Sequence, residues 1–269
     1  MTQSRTIRAT VEYDGTGFKG FQRQRTARTV QGVLESAISS VVSANVGIEA
    51  AGRTDSGVHA KGQVIAFRVS SNLKDDVLQR AINAHLPCDV ALRQLATTSN
   101  GFRPRGDAVS RVYRYRIDQG EARSVLDRER AWYISQPLNI DRMRMAAEEF
   151  LGTHDFNAYT SGRQGNTWRS VYDHAVWRLG PSIHVQVEAN AFLYRMVRRM
   201  VADLVRVGRG VMEISEIRDA LKSGERLKVQ ECAPANGLTL MQVRYPDRDS
   251  RYNVSHLIGE NFHALQGSQ

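Results

Sequence analysis

Residues 51–60, with the sequence AGRTDSGVHA, place an arginine, an aspartate and a histidine in one short segment. Its two inner glycines, Gly52 and Gly57, allow backbone conformations that other residues avoid, so the chain can turn sharply and present Asp55 at the edge of a sheet. A carboxylate on such a loop is suited to act as a nucleophile or a general base. The neighbouring Arg53 is expected to favour the ionised form of that carboxylate.

Taken alone, this segment has a second interpretation. Aspartate is a common turn former, and in an isolated Gly-Arg-x-Asp turn it more often caps the turn or pairs with the arginine. His59 lies four residues after Asp55, but no third ligand with suitable spacing accompanies the two, so the sequence predicts no metal site. It also contains neither of the common glycine-rich motifs for nucleotide cofactors. We therefore expect no cofactor.

A second candidate set lies on a predicted strand at 109–118, where Tyr113 and Tyr115 are interspersed with arginines. The stretch from 103 to 116 contains five arginines and one acidic residue, Asp107. Aromatic rings beside arginines provide the base stacking and phosphate contacts that RNA recognition uses. The same pattern also fits a strand whose aromatic residues pack in the core and whose arginines are solvated.

A predicted helix at 191–208 separates its apolar and basic residues onto two arcs. The apolar arc contains Phe192, Leu193, Met196, Val197, Met200, Val201, Leu204 and Val205. The basic arc contains Arg195, Arg198, Arg199, Arg206 and Arg209. Arg198 lies at the border of the apolar arc, from which its side chain can reach inward. For Arg195 and Arg209, a solvated side chain and a phosphate contact are equally good interpretations.

The segment GRTDSGVHA resembles the active-site motif of the TruA family of tRNA pseudouridine synthases, whose usual form is GRTD(A/S)GVHA. Further segments similar to that family follow in order along the chain, at 11–18, 20–24, 29–35, 83–87, 102–105, 111–115, 151–156, 190–198 and 233–240. Phe21 stands where the family usually has tryptophan, Arg103 and Pro104 replace a His-Ala pair, and Gly106 replaces a common aromatic residue.

This resemblance implies isomerisation of uridine to pseudouridine at positions 38, 39 and 40 of the tRNA anticodon stem-loop. It also implies that Asp55 is the catalytic residue, that Tyr113 packs against the target uracil, and that Arg198 forms an ion pair with Asp55. The other residues expected to bind substrate are Arg53, Arg105 and His59. The family further suggests a homodimer, with tRNA as its partner.

The sequence predicts a mixed α/β (α+β) fold. The family implies two related subdomains that share a continuous, mostly antiparallel sheet flanked by helices, with the active site in a central cleft. We place the boundary between 1–108 and 109–269, although no sequence repeat relates the halves. Predicted strands lie at 7–13, 46–51, 63–68, 90–96, 109–118, 168–179, 183–188 and 239–245, and predicted helices at 30–42, 74–85, 141–151, 191–208 and 214–222. A polar tail is expected after Pro246.

The amino-acid composition limits the classes of function that fit this chain. The chain of 269 residues has 37 Lys+Arg against 28 Asp+Glu, a net charge of +9, which suits a polyanionic partner. The two cysteines, Cys88 and Cys232, lack metal-like spacing, and no apolar stretch is long enough to span a membrane. We therefore expect a cytoplasmic protein. Two alternatives are a non-catalytic RNA-binding protein and a nucleoside or nucleotide hydrolase.

Overall fold

The computed structural model describes residues 4–161, 165–225 and 231–246, so the tail predicted after Pro246 lies outside the described residues. In chain order the elements are β1 (Arg5–Tyr13), α1 (Val30–Val42), β2 (Glu49–Ala50), β3 (His59–Val69), α2 (Asp75–His85), β4 (Val90–Thr98), β5 (Ser110–Asp118), β6 (Trp132–Tyr133), α3 (Ile140–Glu148), β7 (Gly152–Asp155), β8 (Trp168–Leu179), β9 (Ser182–Ala189), α4 (Met196–Gly208), α5 (Ile214–Ser223) and β10 (Leu238–Arg244).

The strands of the described residues form one sheet, in the order β4-β1-β3-β10-β5-β9-β8-β7, with β2 added beside β3 and β6 beside β5. Two pairings are parallel, β10 with β3 and β5 with β6, and the other strand pairs are antiparallel. The expected α/β fold with a continuous, mostly antiparallel sheet is confirmed. Because β10 lies between β3 and β5, the last strand of the described residues joins the first and second halves of the chain.

One row of side chains crosses the centre of this sheet. Tyr13 is paired with Ala60, Ala60 with Leu240, Leu240 with Tyr113, and Tyr113 with Val187. Directly opposite residues point to the same face of a sheet. Tyr13, Ala60 and Leu240 belong to one hydrophobic core and Val187 to another, while Tyr113 packs against both. The two cores therefore lie on the same face and meet at Tyr113.

The helices cover that face. Leu34 and Ile38 of α1 and Leu78 and Ile82 of α2 are buried in the core of the first half. Helices α3, α4 and α5 build the core of the second half. α1 has the predicted bounds, because the Thr29 hydroxyl accepts a hydrogen bond from the Gly32 amide and caps the first turn.

The helix predicted at 191–208 begins later than expected, at Met196. The amide oxygen of the Asn190 side chain accepts hydrogen bonds from the main-chain amides of Ser170 and Ala191, which gives the backbone an alternative to the helix. Arg195, just before the helix, has φ 61°, in the left-handed region. Phe192 is therefore placed by a turn rather than by helical periodicity.

Two short strands were not predicted. β6 lies at Trp132–Tyr133, where no strand was predicted, and β7 begins at Gly152, whose φ of 95° lies in the left-handed region. The strand expected before the Asp55 loop shrinks to β2, and both cysteines are free. In the described part of the chain, no helix has the length and apolar character needed to cross a membrane.

Candidate active site

Asp55 lies on the loop between β2 and β3, and the N-terminal glycine-rich turn packs against that loop. The Val58 amide donates to the Asp55 carbonyl at 3.1 Å, closing a turn in which Gly57 has φ 81°. A Cβ atom on Gly15 would lie 2.1 Å from the Val58 carbonyl oxygen, so no side chain fits there. Gly20 has φ 92° and lies against the Thr54 carbonyl. These glycines let two loops approach closely.

Hydrogen bonds hold the residues before Asp55 in place. The Thr54 carbonyl accepts from the Phe21 amide at 3.0 Å, and its hydroxyl is 2.7 Å from the Tyr13 hydroxyl. The fully buried Gln63 side chain donates to the Gly52 carbonyl at 2.8 Å. Burial raises the pKa of Tyr13 to about 12, opposed by its hydrogen bonds, so this hydroxyl stays neutral. The loop is rigidly attached to the sheet.

Arg198 contacts the Asp55 carboxylate across the two halves of the chain. Its Nη1 atom lies 3.0 Å from Asp55 Oδ2, with side-chain exposures of 14% and 24%. The Arg198 Nε donates to the Ala233 carbonyl at 2.7 Å, and the Ala233 amide donates back to the Arg198 carbonyl at 3.0 Å. The guanidinium is therefore oriented before it meets the carboxylate, which remains open enough to reach a substrate.

Tyr113, on β5, is half-buried, and its ring meets the Phe192 ring edge-on with centroids 5.1 Å apart. Burial raises the pKa of Tyr113 above its usual value, with smaller contributions from Tyr13 and the Asp55 carboxylate. The phenol is therefore neutral at physiological pH and can donate a hydrogen bond. The Asp55 carboxylate is therefore close enough to act electrostatically on the Tyr113 hydroxyl.

Two further predicted residues lie at the surface. Arg53 is exposed, and its side chain makes no hydrogen bond or ion pair within the ranges that the structure describes. Arg105 is exposed on the loop before β5, and its positive charge contributes to lowering the pKa of Arg169 after the larger effect of burial. An exposed arginine near a second arginine has donors free to meet a phosphate, which is the role expected for Arg105.

His59 is buried, and protein groups occupy both of its ring nitrogens. Nδ1 accepts from the Gly15 amide at 3.0 Å, and Nε2 lies 2.8 Å from the Glu129 carbonyl and 3.1 Å from the Asn236 carbonyl. Nδ1 also lies 3.2 Å from Asp14 Oδ1, so protein groups surround both nitrogens. These contacts favour a positioning role for His59 over the direct substrate contact expected from the sequence.

The basic arc predicted for α4 is partly wrong. Arg206 is buried and pairs with Asp203 at 3.3 Å, because nearly every residue in the second half of the helix is enclosed by its neighbours. Arg199 donates to the Thr160 carbonyl at 2.6 Å and to the Ser161 hydroxyl at 2.9 Å. Of the five predicted cations, Arg195 and Arg209 are exposed.

Sequence reasoning missed the residues that support the loop. Tyr13, Thr54 and Gln63 hold its backbone, and Phe192 contacts the Tyr113 ring. A glutamine within an apolar strand was a usable signal for Gln63, since a buried amide needs partners. The described residues contain no cluster of three His, Cys, Asp or Glu side chains able to hold a metal.

A carboxylate beside an aromatic ring and exposed arginines is typical of an enzyme that acts on a nucleotide within RNA. The family model described as tRNA pseudouridine synthase matches residues 9–102 and 146–246. The chain therefore belongs to the tRNA pseudouridine synthase family.

Relatives extend the match to most of the chain. It is 40% identical over 240 residues to tRNA pseudouridine synthase A of Pseudothermotoga lettingae, covering 88% of this chain and 98% of that relative. It is 38% identical over 245 residues to the protein of the same name from Fervidobacterium nodosum, covering 90% and 100%. A solved archaeal box H/ACA sRNP Nop10-Cbf5 complex is 12% identical, with a TM-score of 0.35, over 88% of this chain and 47% of that one. That structural overlap is too low to inform the site.

Proposed function

We propose that this protein isomerises uridine to pseudouridine in tRNA, at positions 38, 39 and 40 of the anticodon stem-loop. The observation that supports this most directly is the ion pair between Asp55 of the GRTDSGVHA loop and Arg198 of α4, in a chain that belongs to the family. The names of the relatives point to the same substrate, tRNA.

The reaction exchanges one bond for another within a single nucleotide. The bond between ribose C1′ and uracil N1 breaks, the detached uracil turns, and a bond from C1′ to C5 forms. C5 then loses its proton and N1 gains one, so the oxidation state balances without a co-reactant. Asp55 serves either as the nucleophile, on the ribose or the ring, or as the base in a glycal route, and a carboxylate suits the oxocarbenium-like sugar.

The neighbouring side chains stack on the target uridine, hold the Asp55 carboxylate and bind flanking phosphates. The target uridine is stacked or paired in the stem-loop, so it must be flipped into the pocket, where Tyr113 stacks on it. Arg198 holds the Asp55 carboxylate in place. Arg53 and Arg105, both exposed, bind phosphates of the flanking nucleotides. His59 positions the loop rather than the substrate.

The wider setting is part of the same proposal. We expect a homodimer that acts in the cytoplasm on tRNA, and a division of the chain into subdomains 1–108 and 109–269. Sedimentation of the purified protein and fractionation of cells test the first two expectations. Expression of residues 1–108 alone tests the boundary by showing whether the fragment folds. In the intact chain β10 pairs with β3 and supports this first half.

Tritium release tests the reaction itself. Wild-type protein, Asp55→Asn and the control Asp76→Asn are mixed with tRNA labelled at uridine C5, and tritium in water is counted in single turnovers. Asp76 is an exposed aspartate on α2, paired with Arg80, and its replacement should leave the rate unchanged. Asp55→Asn should abolish release while tRNA binding stays within about threefold, because the shape is kept and the reacting group is lost.

Each alternative gives a different result. A non-catalytic RNA-binding protein retains tRNA without releasing tritium. A hydrolase of small nucleosides or nucleotides also releases none from tRNA, but it frees uracil from labelled uridine with the C5 label kept. Substantial release by Asp55→Asn would remove Asp55 from the reaction.

A further inference from the structure

Arg111, on β5, is a buried arginine, 8% exposed, whose hydrogen bonds within the described residues all go to main-chain carbonyls. Nη1 donates to the carbonyls of Asn190 at 2.7 Å and Ala108 at 3.2 Å. Nη2 donates to those of Arg105 at 2.9 Å and Ala51 at 3.1 Å. The guanidinium therefore joins the ends of several chain segments and is not directed at solvent.

Burial of this guanidinium costs free energy. A buried cation without a carboxylate loses its hydration, and this burial lowers the pKa of Arg111. The planar guanidinium recovers part of that cost by serving several carbonyls in fixed directions, which the compact ammonium of a lysine does less well. Its donors are engaged by the protein, so Arg111 is not the solvated or phosphate-binding strand arginine that the sequence suggested.

The segments that Arg111 joins are those that carry the candidate site. Ala51 begins the loop that presents Asp55, and it lies 60 positions from Arg111. Asn190, 79 positions away, begins the turn into α4, which carries Arg198. Arg105 is itself the expected phosphate contact. One side chain thus ties both sides of the Asp55–Arg198 pair to a central strand.

We propose that Arg111 is a positioning residue, which fixes the Asp55 loop against the turn before α4 so that the carboxylate meets Arg198 in the geometry that the reaction needs. This inference rests on the proposed function for its activity readout. Displacements of about 1 Å at a catalytic group can cost about 100-fold in rate, so loss of this anchor should reduce turnover far more than tRNA affinity.

The experiment uses the full chain with Arg111→Lys and Arg111→Gln, and Arg206→Lys as a matched control. Arg206 is also a buried arginine, 9% exposed, but it pairs with Asp203 in the second half of α4, past Arg198. Single-turnover rate, tRNA affinity and amide hydrogen exchange of residues 52–58 are measured for each protein. Exchange needs no substrate, so it tests the anchor even if wild-type protein proves inactive, a result that would refute only the proposed function.

We expect Arg111→Lys to lower the single-turnover rate by at least about tenfold, with tRNA affinity within about threefold and faster exchange in residues 52–58. Arg206→Lys should change none of the three. Because Arg111 acts through the ion pair, adding Arg111→Lys to Arg198→Lys should cost less than it does in wild-type protein.

For variants that fold, three outcomes would overturn the inference. They are an unchanged rate and exchange in a folded variant, a loss of tRNA affinity that matches the loss of rate, and additive effects with Arg198→Lys. If neither Arg111→Lys nor Arg111→Gln folds to the wild-type circular dichroism spectrum, Arg111 is a folding requirement and the positioning role is rejected.

Discussion

The aspartate of the candidate site depends on its neighbours for its position. A carboxylate that is 24% exposed can reach a substrate, and an arginine that is 14% exposed stays in place to hold it. The family resemblance implied this pair, and the border position of Arg198 on the predicted helix was compatible with it. The sequence did not show which other polar residues are enclosed, since burial depends on contacts between distant segments.

His59 and Arg206 illustrate that limit. Both have side chains able to contact RNA, and both are buried among protein groups. Nothing in the local sequence marks His59 as an acceptor for the Gly15 amide, because that turn lies 44 positions away. A residue type therefore predicts the chemistry available, and the fold decides whether substrate can reach it.

Tyr113 should act mainly through its ring. Tyr113→Phe keeps the surface that stacks on a base, so tRNA affinity should be retained, whereas Tyr113→Leu should lose about 1–3 kcal/mol of binding. Binding is measured by filter retention and turnover by tritium release. Tyr133→Phe is the control, since that hydroxyl donates only to the Gly120 carbonyl on an exposed segment.

The hydroxyl of Tyr113 is tested by the same variants. Since its raised pKa keeps the phenol neutral, it can donate a hydrogen bond in the step that removes the C5 proton, but it is a poor base. A phenylalanine variant that binds normally and turns over slowly assigns the hydroxyl to that step. Wild-type binding and turnover in both Tyr113 variants would place the residue outside the site.

His174 should make stability depend on pH. Burial lowers its pKa to about 4 from 6.5, opposed by its hydrogen bond to the Ala147 carbonyl, so the folded protein binds fewer protons than the unfolded chain between those values. Its contribution is present above pH 6.5 and is lost as pH falls towards 4. By linkage this amounts to about 3 kcal/mol in the free energy of unfolding.

The measurement compares variants across that range. His174→Gln keeps a donor for Ala147 and does not titrate, so urea unfolding between pH 7 and 4 should show a shallower loss of stability than in wild-type protein. His85→Gln, at an exposed histidine on α2, should keep the wild-type profile. Identical profiles for His174→Gln and wild-type protein would contradict the prediction.

At the scale of elements, the Asp55 loop is shaped by glycines from another segment. Replacing Gly15 by alanine would place Cβ 2.1 Å from the Val58 carbonyl oxygen, where backbone rather than a flexible side chain must move. We expect a loss of about 1–3 kcal/mol in the free energy of unfolding, and slower turnover because the loop shifts. Chemical denaturation and tritium release measure the two effects.

Gly47→Ala is the matched control for that substitution. Apart from Gly47 and its two chain neighbours, no heavy atom of the described residues lies within 4 Å of the Cβ position there. Alanine should therefore be neutral or slightly stabilising, through the unfolded chain. If the two alanine variants had equal stability, the close approach of Gly15 to Val58 would not matter to the fold.

The start of helix α4 shows that apolar periodicity alone does not locate a helix boundary. The apolar repeat runs through 191–208, yet the helix begins at Met196 because the Asn190 side chain satisfies nearby main-chain amides. By contrast, Thr29 marks the start of α1 with a local cap, and that helix has its predicted bounds. The Thr29 cap bonds within its own first turn and is predictable, whereas Asn190 also accepts from Ser170 on β8, a contact that the local sequence does not show.

At the scale of the whole molecule, the sequence predicted the strands better than their order. Alternation of apolar residues located β1, β5, β8 and β9, but nothing local shows that β10 pairs with β3 and β5. That pairing brings Leu240 between Ala60 and Tyr113 and unites the two cores at the site. The family resemblance implied a continuous sheet, and the structure shows that β10 is the strand that connects its two halves.

The net charge of +9 should make tRNA binding depend strongly on salt, because arginines that contact phosphates release counterions.

Substitutions at two arginines distinguish an effect on tRNA binding from an effect on stability. Arg53 is exposed, whereas Arg199 bonds within the protein. Arg53→Gln should weaken binding of all tRNAs and reduce the slope of log affinity against log salt by about one unit. Arg199→Gln should lower the free energy of unfolding and leave the slope unchanged, because its donors serve Thr160 and Ser161. Titrations between about 50 and 200 mM salt measure the slopes. A flat dependence in wild-type protein would show that phosphate contacts contribute little, and a reduced slope in Arg199→Gln would place that residue on the RNA.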